Sequence, residues 1–94
     1  MSYSRWDTKS CWYVWWQDHN NCDELAFWYS PLDPNKSNSD VIAFSFNEIT
    51  ENTEGVLGKL QKHTNCSAKN LQKARGYIKE FVKDVKAEKQ GTKP

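Results

Sequence analysis

The chain reads as an α+β domain: a three-stranded antiparallel sheet followed by two antiparallel helices packed on one face, in the order β-β-β-α-α. Three observations predict it. Short aromatic runs fill the first half, clusters of turn-forming residues separate them, and after Phe46 the apolar period lengthens to that of a helix.

CWYVWWQ (11–17) and ELAFWYS (24–30) are short and aromatic, which favours strands. DHNNCD between them is turn-rich and joins the two as a hairpin. SPLDPNKSNSD (30–40) holds two prolines among Ser, Asn and Asp, the signature of a surface loop. VIAFSF (41–46) is the third strand. A further short strand around Tyr3–Trp6 is a candidate outside this count.

Asn47 is the expected cap of the first helix, with Glu48 and Glu51 near its positive end. Ile49, Val56, Leu57 and Leu60 line one face of a helix reaching about His63. Gly55 and Gly58 each weaken it by about 1 kcal/mol relative to alanine. Ser67 caps the second helix, where Leu71, Ala74, Ile78, Phe81 and Val85 recur at spacings of three and four. Tyr77 and Val82 widen that stripe. EKQGTKP beyond Ala87 has no apolar anchor, so residues 1–88 are expected to form one domain and 89–94 a frayed tail.

Ninety-four residues suffice for a single core, and five Trp, four Tyr and four Phe supply much of what can be buried. The net charge of +1 conceals a division. Residues 1–55 hold three basic side chains against nine acidic ones, and residues 56–94 hold ten against three. Such halves either attract one another within the fold or present surfaces of opposite sign to partners. MSYSRWDTKS has no apolar run of the kind a signal peptide needs, and no segment approaches a membrane span. Three cysteines are an odd number for a disulfide framework and point to a reducing cytoplasm.

Strand alternation poses the central question. Trp12, Val14 and Trp16 point one way, with Leu25, Phe27, Tyr29, Ile42, Phe44 and Phe46; this is the expected core face. Tyr13, Trp15 and Trp28 point the other way. Two helices cover one side of a sheet, so the second side keeps its aromatics unless the Trp6 segment or the 30–40 loop folds over them. Left open, such a patch is an interaction surface for a partner protein or a second copy. Base stacking is the lesser reading, because the aromatic half is the acidic half.

Two H-x-x-C pairs, His19/Cys22 and His63/Cys66, would together supply a tetrahedral zinc set. The expected topology opposes it: a helix of about sixteen residues carries His63 roughly 24 Å from the hairpin turn at His19. Only a site between two chains would remain, so no cofactor is expected. No nucleotide-binding, serine-hydrolase or zinc-protease motif occurs, and Cys22 beside His19 lacks an orienting third group. Asp23 and Glu24 are neighbours on a strand and face opposite sides. The chain therefore reads as non-enzymatic. The second helix offers another function: Lys69, Lys73, Arg75, Lys79, Lys83 and Lys86 could follow a phosphate backbone, although Glu80, Asp84 and Glu88 interrupt the exposed face.

SYSRW at the start, followed closely by WY and WW, resembles the opening of small accessory proteins encoded by bacteriophages and prophages. The resemblance covers about the first sixteen residues and transfers no functional residue. It implies a cytoplasmic protein that binds and inhibits a host protein, including host-defence components such as CRISPR effectors. On this reading Tyr13, Trp15 and Trp28 supply the contact, and Asp18, Asp23 and Glu24 an acidic rim for a basic partner. A small nucleic-acid-binding regulator acting through the Lys-rich helix is the alternative.

Overall fold

A computed structural model describes residues 4–30 and 40–89. Four strands form one antiparallel meander, in sheet order β1-β2-β3-β4: β1 Ser4–Asp7, β2 Trp12–His19, β3 Cys22–Tyr29 and β4 Ile42–Ser45. Three helices follow, α1 Phe46–Glu51, α2 Thr53–Thr64 and α3 Ala68–Lys89. The α+β order of sheet then helices stands as expected, but with four strands rather than three and three helices rather than two.

The additional strand is the aromatic N-terminal segment. It pairs Arg5 with Val14 and Trp6 with Tyr13. Asp7 ends it by organising the turn: its carboxylate accepts from Lys9 N at 3.0 Å and from Ser10 Oγ at 2.7 Å. β2 and β3 are joined by Asn20 and Asn21 at φ 54° and 61°, the two left-handed residues that a type I′ hairpin requires.

The expected first helix is two helices, and its cap is Ser45 rather than Asn47. Ser45-x-x-Glu48 has the spacing of a capping box, and Ser45 Oγ accepts from Glu48 N at 3.1 Å. The third strand stops there, so Phe46 is the first helical residue instead of the last strand residue. Asn52 leaves the helical region (φ −152°, ψ 67°), and its side chain caps α2 through Gly55 N at 3.0 Å. Asn52 thus ends one helix and starts the next. Ser67 caps α3 as expected, accepting from Asn70 N. α3 runs through Lys89, one residue into the segment expected to fray; residues 90–94 and the loop 31–39 lie outside the described residues.

The core lies between the sheet and the helices. Trp12, Val14, Trp16, Leu25, Phe27, Tyr29 and Phe44 meet Ile49, Val56, Leu57, Leu60, Ala74, Ile78, Phe81 and Val85. α3 runs along β2: Trp12 Nε1 donates to Asn70 O near its start, and Trp16 meets Phe81 edge-on about three turns later. α1 and α2 return in the opposite direction, and His63 Nε2 donates to Asp40 O just before β4. Among the described residues no helix is long and apolar enough to cross a membrane.

Two glycines of α2 separate propensity from capping. A Cβ at Gly58 would meet nothing within 4 Å, whereas at Gly55 it would run into the capping amide of Asn52. Gly58→Ala is expected to stabilise the fold by about 1 kcal/mol and raise Tm by about 4–8 °C. Gly55→Ala should stay near neutral, since a lost cap of about 1 kcal/mol offsets the same gain. Thermal unfolding of the two variants checks this; equal gains would count against Asn52 as a cap.

Candidate functional site

The outer face of the sheet carries the strongest candidate. Cross-strand register places Trp6 beside Tyr13, Tyr13 beside Trp28, and Trp15 beside Ala26. Ring centroids lie 5.9 Å apart for Trp6–Tyr13, 5.4 Å for Tyr13–Trp15 and 6.5 Å for Tyr13–Trp28. Tyr13 is therefore the hub of a four-ring cluster. Trp6 is 45% exposed, Tyr13, Trp15 and Trp28 are partly exposed, and Ala26 beneath them is fully covered. β1 thus extends the face rather than hiding it.

The rings are not a stacking platform. The three neighbouring rings are inclined to Tyr13 at 44° to 89°, so Tyr13 shares a coplanar face with none of them. No strand residue on this face is cationic; Arg5 points to the other side, where it sits 5.5 Å from the Tyr77 ring centroid and 2.8 Å from Glu80. Among the described strand residues of this face the one carboxylate is Glu24. It accepts from Gln17 Nε2 at 2.9 Å, while Gln17 Oε1 accepts from Trp15 Nε1 at 2.8 Å. That chain fixes the Trp15 ring and gives the patch one polar border.

The structure separates the residues grouped as one binding set. Tyr13, Trp15, Trp28 and Glu24 share the outer face, but Asp18 and Asp23 alternate onto the helix side at the hairpin end. Asp23 Oδ1 accepts from the Trp16 indole at 3.1 Å, a structural use. Sequence reasoning missed Gln17 as a member of the face and considered Trp6 only as one of two candidate covers. The alternation of β2 from Tyr13 through Trp15 contains the place of Gln17, and SRW against WYVWW, once β1 is admitted, contains that of Trp6.

The two H-x-x-C pairs stand at opposite ends of the sheet. His19 and Cys22 close the β2–β3 hairpin, and His63 is bonded to Asp40 at the other end. One copy therefore does not gather the four ligands. A shared site between copies meets a further obstacle: Cys66 is 5% exposed and packs in the core.

The Lys-rich helix is divided as well. Arg75 forms a bidentate pair with Glu54 at 2.7 and 3.1 Å, which holds the Glu54 carboxyl below its usual range and the guanidinium above its own. Glu80, Asp84 and Glu88 continue the side of the helix on which Lys69 and Lys73 lie, and Glu80 meets Arg5 of β1, while Lys79 and Lys86 lie on the flank toward α1 and α2. Lys69, Lys73 and Lys83 are exposed.

Compared with known protein families, with curated proteins and with solved structures, the chain matches none. The geometry of the two faces is what a functional reading has to rest on.

Proposed function

We propose that the chain is a non-enzymatic protein-binding module of a phage or other mobile element, one that binds and inhibits a host protein in the bacterial cytoplasm. A host-defence component such as a CRISPR effector is the kind of target the N-terminal resemblance implies. The observation that carries the binding reading is the Trp6–Tyr13–Trp15–Trp28 cluster, partly exposed on the side of the sheet away from the helices. Trp and Tyr dominate binding hot spots because they bury much area while fixing few rotatable bonds. Tilted rings bordered by Gln17 and Glu24 suit a side-chain-filled protein surface better than a nucleic acid.

The test is capture from bacterial lysate with tagged protein, after nuclease and a high-salt wash. A single protein retained near stoichiometry supports the reading. Trp6→Ala and Trp28→Ala should each weaken that complex by about 30-fold or more, corresponding to at least about 2 kcal/mol, with folding retained by circular dichroism. Retention of nucleic acid alone, or a complex indifferent to both substitutions, refutes it.

A further inference from the structure

A second surface lies on the opposite side of the molecule. α1, the start of α2 and the middle of α3 enclose an open groove of 440 Å³ lined by Thr50, Thr53, Glu54, Arg75, Ile78, Lys79, Val82 and Lys86. From its chemistry we infer that this groove binds an acidic amphipathic segment of a partner protein. No residue is shared with the aromatic face, so the inference stands independently of the function proposed above.

The argument begins with charge. Glu54 is the groove's sole carboxylate, and Arg75 engages both of its oxygens. Lys79 and Lys86 have no ion-pair partner among the described residues, which leaves one wall with two uncompensated cations. The facing wall adds no uncompensated charge: its Glu54 is the carboxylate that Arg75 holds, and the Thr50 and Thr53 hydroxyls donate to Asn47 O and Ile49 O of their own helical turns, with lone pairs remaining as acceptors. Between the walls the partly exposed Val82 supplies the apolar contact, while Ile78 beside it on the helix is buried.

Spacing narrows the ligand. Lys79 and Lys86 are seven residues apart on one helix flank, about 10.5 Å along its axis. Carboxylates at i and i+7 of a docking helix have the same separation, and apolar residues at i+3 and i+4 fall between them on the same face. A phosphate backbone fits less well. It gains nothing from the Val82 contact, and two lysines give a salt slope of only roughly −1.4 to −1.8, the signature of a feeble nucleic-acid contact.

Fluorescence anisotropy with three labelled probes tests this: a helical peptide with Glu at i and i+7 and Leu at i+3 and i+4, its Gln counterpart, and a single-stranded oligonucleotide. The Glu peptide should bind at least about 10-fold tighter than the Gln peptide, and Lys79→Glu with Lys86→Glu should abolish the difference. Thermal unfolding monitors the fold of that variant; if it fails to fold, Lys79→Gln with Lys86→Gln should still lose about 10-fold. Equal binding of the two peptides, or no binding up to about 1 mM, overturns the inference. So does a tighter oligonucleotide with the same lysine dependence. Self-association in sedimentation that the lysine variants remove would reassign the groove to a second copy, and overturn it too.

Discussion

Trp12→Ala is expected to remove a large share of the stability of the fold. Trp12 is completely buried, contacts Phe27 and Tyr29 with ring centroids 5.6 and 4.8 Å away, and donates its indole N–H to Asn70 O at 2.8 Å. It thereby ties the start of β2 to the start of α3. Removing a buried Trp side chain costs about 3–5 kcal/mol, and the carbonyl of Asn70 loses its tether to the sheet as well. A domain of this size has a total stability of about 5–14 kcal/mol. Trp6→Ala, on a half-exposed ring of the outer face, should cost less than about 1.5 kcal/mol. Urea unfolding followed by circular dichroism compares the two. If Trp6→Ala proved the more damaging, the assignment of core and outer faces would be reversed.

Asp7→Ala should produce the next largest loss, about 2–3 kcal/mol. The Asp7 carboxylate accepts from Tyr77 OH at 2.6 Å, Ser10 Oγ at 2.7 Å and Lys9 N at 3.0 Å, so alanine strands the hydroxyl of Ser10, which is almost fully buried. Tyr77 and Ser10 hold the Asp7 pKa down at about 2, against an ordinary 3.8. The Tyr77 hydroxyl is pushed the other way, mainly by burial and then by its bond to Asp7. Because the folded-state pKa is the lower one, the unfolded chain takes up the proton first. The stabilisation is complete above about pH 4 and is lost as pH falls from 3.8 toward 2. Solvent screening limits it to the order of 1 kcal/mol. Stability measured from pH 5 to pH 2 should fall less steeply in Asp7→Asn than in the parent; parallel curves would remove Asp7 as the titrating group.

The two tests differ in how visible their residues are in the sequence. Trp12 belongs to a strict alternation, and burial of alternate rings is the only arrangement that fills one face of a sheet, so its place is legible from the pattern alone. The stripe of α3 is legible for the same reason. Asp7 is not. Its partner Tyr77 lies seventy positions away and becomes a neighbour only once β1 is laid beside β2 and α3 crosses above them. The break at Asn52 falls between these cases. Asn-Thr-Glu-Gly is a recognisable cap, but it competes with a continuous apolar period from Ile49 to Leu60, and there local hydrogen bonding prevails over periodicity.

The outer face shows a similar limit. Alternation sends Tyr13, Trp15 and Trp28 to one side, but the ring tilts that disfavour stacking, and the Trp15–Gln17–Glu24 chain, depend on side-chain conformations that no spacing specifies. The separation of Lys79 from Glu80 on α3 needed the neighbours as well. Lys79 and Glu80 are adjacent in sequence, yet one borders α1 and α2 and the other reaches β1.

The meander order carries a consequence for biosynthesis. Every strand pairs with its neighbour in sequence, so the sheet can assemble as the nascent chain emerges. Its cover arrives late. Trp12, Val14, Trp16, Leu25 and Phe27 rely on Ala74, Ile78, Phe81 and Val85, which are made last among the core residues. At roughly 5–20 residues per second, the ribosome needs about 2–9 s to proceed from Ser45 to Lys89. During that interval the growing polypeptide carries apolar surfaces on both sides of its sheet, one transient and one permanent, and its burden on chaperones should fall sharply once α3 has been translated.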